Sequence, residues 1–202
     1  MPHSIANTHR GRFPTFFLIS SLLAALLLFG GCGKTIGGNS LHVKAGGFDK
    51  DLAIKSAYAF PVTKTFTDVN GKMTTASAYN VYLANYDLDA KNFGATLDKP
   101  LTGDDQVRVV FALIGNEGTN DKSPPNAATY SAKADKYVKA ESAGLVMRKS
   151  GSEIKSWLDR SMLSGEVKLN SATADEIAGD VNLTSGETSI KGSFTAKVLK
   201  RK

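Results

Sequence analysis

Residues 164–199 alternate apolar and polar side chains in short runs separated by turn residues, and this pattern restricts the chain more than any other. A strand places every second side chain on the same face, so such alternation describes half-buried β-structure. Val167 and Leu169 share one face of a first run. Ile177, Val181 and Leu183 share a face of the second, and Ile190, Phe194, Ala196 and Val198 share a face of the third. Thr184-Ser185-Gly186-Glu187 supplies the turn between the last two. The spacing predicts a three-strand antiparallel meander. Gly179 and Gly192 occupy the apolar phase, which predicts close backbone packing or a bulge there.

The middle of the chain carries the same signature. Leu52–Phe60 reads as a strand, and Pro61 argues against its continuing as a central one. Asp68-Val69-Asn70-Gly71 is a turn signal that favours a tight hairpin. Ala76–Tyr86 puts Tyr79, Val81 and Leu83 on one face, with Tyr82 and Tyr86 opposite. Val107–Ile114 is apolar on both faces, the mark of a central or covered strand. Gly115–Asn126, with Pro124-Pro125, is a loop. Ala127–Ala143 fits a helix by its alanines, while Tyr137–Arg148 fits an edge strand equally well. Ser150 and Glu153 have capping-box spacing, followed by Ile154, Trp157, Leu158 and Met162, which predicts a short helix over Ser150–Leu163 that packs Trp157 on the sheet. The expected fold is therefore mainly β: an antiparallel β-sandwich with one short helix and a C-terminal three-strand meander. A closed β-barrel is the alternative.

Residues 1–31 are different. His9, Arg10 and Arg12 precede an apolar run from Phe16 to Phe29, with no acidic residue before Cys32. The run is short for a membrane span, which needs about 20 apolar residues, and it fits the core of an export signal. Phe29-Gly30-Gly31-Cys32 then resembles the signal of bacterial lipoproteins. Gly30 and Gly31 match the two small positions and Cys32 the lipid-modified cysteine, while Phe29 stands where Leu is usual. The resemblance implies cleavage before Cys32, a diacylglyceryl thioether on its sulfur and an acylated amine. Gly33 in place of the Asp that marks inner-membrane retention points to the outer membrane in a Gram-negative host. Gly192-Ser193-Phe194 also resembles the turn into the last strand of exported bacterial β-sandwich domains.

The expected organisation is a signal peptide over 1–31, a lipidated cysteine with a flexible Gly, Ser and Asn tether over 32–47, and one β-rich domain over 48–202. The leader holds two of the 25 Lys and Arg and none of the 19 acids, so the remainder carries 23 minus 19, or +4. Part of that charge gathers at Lys197, Lys200, Arg201 and Lys202. Aromatic and basic residues are not interleaved as a nucleic-acid platform requires, and export argues against such a partner as well.

Catalytic chemistry finds few residues to use. His42 is the one histidine after the leader and falls in the expected tether, and Cys32 is committed to lipid. Neither a histidine relay nor a Cys/His zinc site can be assembled. The sequence implies no cofactor. Asp87, Asp89, Asp98, Asp104, Asp105, Glu117 and Asp121 leave open a pair of carboxylates for hydrolysis, and Asp68, Asn70, Asp87 and Asp89 leave open a calcium site. The binding candidates are Tyr82, Tyr86 and Trp157, aromatics able to stack on a sugar or anchor a protein. The expectation is a non-enzymatic, lipid-anchored protein of the cell envelope, with a structural or binding role toward a protein or surface polysaccharide. Its rivals are a carrier of a small or amphiphilic ligand in a barrel cavity and a carboxylate hydrolase.

Overall fold

A computed structural model of the chain describes residues 39–93, Leu97 and residues 100–199. Cys32, Asp98 and the Lys200, Arg201, Lys202 tail lie outside them. The strands are β1 (Ser40–Ala45), β2 (Phe48–Ala53), β3 (Ser56–Thr67), β4 (Met73–Ala84), β5 (Val107–Glu117), β6 (Thr129–Ser131), β7 (Lys139–Lys149), β8 (Ser152–Trp157), β9 (Ser164–Ala172), β10 (Glu176–Ser185) and β11 (Thr188–Val198).

All belong to one sheet in the order β10-β9-β6-β7-β5-β4-β3-β11-β1-β2, with β8 added to β7. The further pairing of β10 with β11 closes the path into a ring of β10, β9, β6, β7, β5, β4, β3 and β11. The expected pair of separate sheets is thus one mainly antiparallel sheet folded over itself. Its two joints are narrow: β6 is three residues long, and β3 meets β11 in parallel only at Tyr58 and Ala59. Pro61 explains the second. Ala59 accepts the amide of Leu199 at 2.9 Å, and the next parallel rung would need an amide from residue 61, which proline lacks.

The interior is packed. Val109, Phe111 and Leu113 of β5 face Val181, Leu183, Ile190 and Phe194 across the fold, all at most 2% exposed. Phe111 and Phe194 meet edge to face at 5.3 Å. Each such side chain contributes roughly 1.5–3 kcal/mol of burial free energy. Gly192 lets β1 join this core. Its φ is +143°, and a Cβ there would stand 2.2 Å from the Ser40 carbonyl oxygen. Gly179 sits at a bulge against β9, where a side chain would strike the Lys168 carbonyl.

Three expectations need correction. Residues 40–47, read as the end of a flexible tether, form β1 and its turn into β2, with Leu41, Val43 and Ala45 buried in the core. His42 therefore lies in a strand. The helix expected over Ser150–Leu163 is absent, and helical backbone among the described residues is confined to Phe93 and Leu97. Ser150 and Gly151, with φ of 52° and 80°, instead make the two-residue turn between β7 and β8. Positive φ at both central positions matches the twist of a hairpin. Glu153 does not cap a helix. Its carboxylate accepts the Leu101 amide at 3.0 Å, and the segment pairs with β7 from Ser152 to Trp157. Residues 139–149, ambiguous by sequence, are likewise strand. The Asp68–Gly71 turn is a wider loop than expected: the Asp68 carboxylate accepts the amides of Asn70 and Lys72 at 2.9 Å, and Gly71 adopts φ +79°.

Candidate functional site: the outer face of β3, β4, β5, β7 and β8

Register alone places several aromatic residues in one line. Tyr58 lies opposite Tyr82, Tyr82 opposite Val110, Val110 opposite Gly144, and Gly144 opposite Trp157. Directly opposed residues share a face, so this row crosses the outside of β3, β4, β5, β7 and β8. From Tyr82 to Trp157 is three strand steps, roughly 14 Å.

The two ends of the row differ. At the β3 end, the connection between β4 and β5 folds over the sheet. Phe93 packs edge to face on Tyr58 at 5.8 Å and on Tyr82 at 4.9 Å, and stacks with Phe60 at 6.1 Å. Arg108, 6% exposed, holds this cover by donating to the Tyr86 hydroxyl at 3.3 Å and to the Leu97 carbonyl at 3.1 Å. Burial pushes the phenols of Tyr82 and Tyr86 above the ordinary tyrosine value, against the pull of Arg108. Both are half-buried.

At the β8 end the face is open. Trp157 is 63% exposed, so the expected packing of this residue into the core is reversed. Its position is nevertheless defined. A Cβ on Gly144 would stand 2.4, 2.8 and 2.9 Å from three atoms of the indole, so the ring covers the glycine backbone and turns its other surface to solvent. Beside the row, Phe60, Asn80, Ala112 and Ser142 form the next cross-strand line. Asn80 and Ser142 are half-buried there, and beyond them Lys64 and Glu141 form a partly buried ion pair. The fixed aromatic plate can stack on an apolar ring surface, with the Ser142 hydroxyl on the neighbouring strand and the Asn80 amide three strands away able to bond polar groups farther along an extended ligand.

The remaining candidates scatter. The Asp68 carboxylate is spent on its own turn. Asp104 binds Arg148, Asp105 binds Lys50, and Asp121 accepts from Thr63 at 3.1 Å. Asp89 and Glu153 both sit below the ordinary carboxylate range, through Asn92 for the first and chiefly the Leu101 amide for the second. His42 sits between Asp49 at 3.0 Å and Asp51 at 2.9 Å on the exposed side of the β1–β2 hairpin. Among the described residues no group of three or more His, Cys, Asp and Glu is placed to hold a metal ion. A cleft of about 380 Å³ opens where β3 leaves β11, walled by Pro61, Pro124, Pro125, Ala174 and Val198. At its base the Tyr79 hydroxyl donates to the Ser123 carbonyl, and its pKa is pushed up to about 12 by burial, then by Tyr130 and Asp121.

The structure thus brings Tyr82 and Trp157 into one row, with Tyr86 under the adjoining cover. Phe93, Gly144, Asn80 and Ser142 join them, and sequence reasoning missed all four. The phase of Asn80 within its strand was visible, but which strands are neighbours was not; Ser142 and Gly144 fell in a segment open between helix and strand, and Phe93 lies in no strand. No protein-family model, curated protein or solved structure matches the chain.

Proposed function

We propose that this chain is a lipid-anchored protein of the cell envelope whose β domain binds a surface polysaccharide through the open end of the aromatic row. The observation that carries the reading is Trp157, a large apolar side chain exposed to solvent yet seated on Gly144. An aromatic already fixed by its neighbour loses little conformational entropy when a ligand stacks on it. Ser142 on the neighbouring strand and Asn80 three strands away supply hydrogen-bonding groups along the path of an extended chain. The resemblance around Cys32 supports the anchor, which would hold the domain at the membrane surface.

The test is co-sedimentation of the full chain with purified insoluble envelope polysaccharide. Trp157→Ala is expected to weaken binding about tenfold or more, equivalent to roughly 1.4 kcal/mol, while leaving the thermal midpoint nearly unchanged. Equal binding by the variant would remove the row from the reading. Intact-mass analysis of the membrane-extracted chain against Cys32→Ala tests the anchor separately. Cleavage before Cys32 with added lipid mass is expected, and a bare mature mass would overturn it.

A further inference from the structure

β8 pairs with β7 and leaves its other edge unpaired among the described residues. The Leu158 amide bonds the Ala143 carbonyl at 3.0 Å, which fixes the parity of the strand. Backbone groups of Ser152, Ile154 and Ser156 therefore point to β7, and those of Glu153, Lys155 and Trp157 point outward. We infer that this edge pairs antiparallel with the same edge of a second copy of this chain, about a two-fold axis at Ile154.

Charge selects that register. Outward backbone groups must meet outward ones, so the candidate axes fall on a residue. An axis at Glu153 sets Glu153 against Glu153, and one at Lys155 sets Lys155 against Lys155. The axis at Ile154 sets Glu153 against Lys155 of the second copy, twice, with both side chains on the outer face. The two residues already attract within one chain, at 3.3 Å. This axis also brings Trp157 beside Gly151 of the second copy, where a Cβ would meet nothing within 4 Å. Ile154, 38% exposed at the open edge, meets its counterpart. Pairing would run the outer faces of both copies into one surface carrying two Trp157 platforms. The inference stands on the edge itself and does not require the polysaccharide reading.

The test uses the full chain in the membranes of cells that produce it. At the axis, Ile154 faces its counterpart as a non-hydrogen-bonded pair, with Cα atoms about 4.5 Å apart, inside the roughly 4.4–6.8 Å that a disulfide spans. Ile154→Cys is expected to give a reducible dimer under mild oxidation. Ser156→Cys, whose counterpart in this register is Ser152, is expected to give little. Adding Lys155→Pro to Ile154→Cys removes an outward amide that β7 does not use, so the fold stays and the cross-link is expected to fall at least tenfold. No cross-link from Ile154→Cys, equal cross-linking from Ser156→Cys, or no loss on adding Lys155→Pro would each overturn the pairing. A reducible adduct of a different mass would overturn it in favour of a foreign strand. A chain with Lys155→Pro that shows the unaltered circular dichroism and thermal midpoint separates loss of pairing from loss of fold.

Discussion

β2 and β8 each leave one edge unpaired among the described residues, and they treat it in opposite ways. Both extend from the closed ring, β8 directly on β7 and β2 through β1 on β11. The outward positions of β2 are Asp49, Asp51 and the uncharged Ala53, with Lys50 between the two aspartates. Antiparallel self-pairing about Lys50 sets Asp49 against Asp51, and pairing about either aspartate sets it against itself. Each of these three registers repels, which is one way a sheet avoids edge-to-edge association. The outward positions of β8 read Glu, Lys, Trp, and one register attracts. Anchorage differs too. Phe48 and Leu52 of β2 are at most 8% exposed and belong to the core, whereas Ile154 and Trp157 of β8 are at the surface. The charge pattern on a free edge, rather than its mere presence, decides whether the edge is closed.

Two glycine substitutions test the difference in anchorage and should have the largest effects. Gly192→Ala forces a side chain onto φ +143° and against the Ser40 carbonyl, where backbone must move on both strands. It should cost on the order of 3 kcal/mol in chemical denaturation and loosen the β1–β2 hairpin from β11. Gly144→Ala meets the Trp157 ring first, and that ring can swing outward from an edge strand. It should cost about 1 kcal/mol, shift tryptophan emission to the red, and lower the proposed polysaccharide binding to the extent expected of Trp157→Ala. Equal costs would mean that β8 is as deeply anchored as β1 and β2.

This contrast also marks what sequence could express. The inward faces of β9, β10 and β11 were readable because alternation has a period of two and each strand obeys it alone. Bulging at Gly179 and close approach at Gly192 followed from small residues in an apolar phase. Misreading Ser150–Leu163 has a definite cause. Ile154, Trp157, Leu158 and Met162 fit helical spacing, but Trp157 supplies no core face, and Ser150-Gly151 is a hairpin turn whose positive φ values no periodicity reports. The tether was drawn too long because Leu41, Val43 and Ala45 alternate among glycines and polar residues, and their burial depends on a partner, β11, about 150 residues away. The row joining Tyr82 to Trp157 was beyond reach for the same reason, since it exists only through the pairings of β4 with β5, β5 with β7 and β7 with β8.

A smaller effect comes from rewriting one edge as the other. Asp51→Lys gives β2 the order Asp, Lys, Lys. An axis at Lys50 then opposes Asp49 with the lysine introduced at position 51 of a second copy, the arrangement that β8 has natively. In a Lys155→Pro background, this variant should restore weak association of the full chain in sedimentation velocity, and added salt should reverse it. The His42 contact to Asp51 at 2.9 Å is lost in the process, but both groups are exposed, so stability should fall by less than about 1 kcal/mol. Association that persists in high salt would show apolar contact, not charge, to be the controlling feature of these edges.

Acid offers the finest distinction. The Glu153 carboxyl is held below the ordinary glutamate value chiefly by the Leu101 amide, with Lys155 and Arg108 acting in the same direction. Arg148, opposite it on β7, is itself engaged by Asp104. A carboxylate lowered in the folded state adds stability that is fully present above its unfolded value, near 4.3, and that is lost as pH falls through the lower folded value. Pairing at β8 depends on the same charge. Cross-linking of Ile154→Cys, read with an acid-stable thiol reagent across a pH series, should therefore persist through the ordinary glutamate range and decline only below it. Glu153→Gln should flatten that decline and lower the plateau, because the amide still accepts from Leu101 but no longer attracts Lys155 of the second copy. A decline centred on the ordinary glutamate value, or one that Glu153→Gln leaves unchanged, would assign the acid sensitivity to another group and separate edge pairing from the Glu153–Lys155 charges.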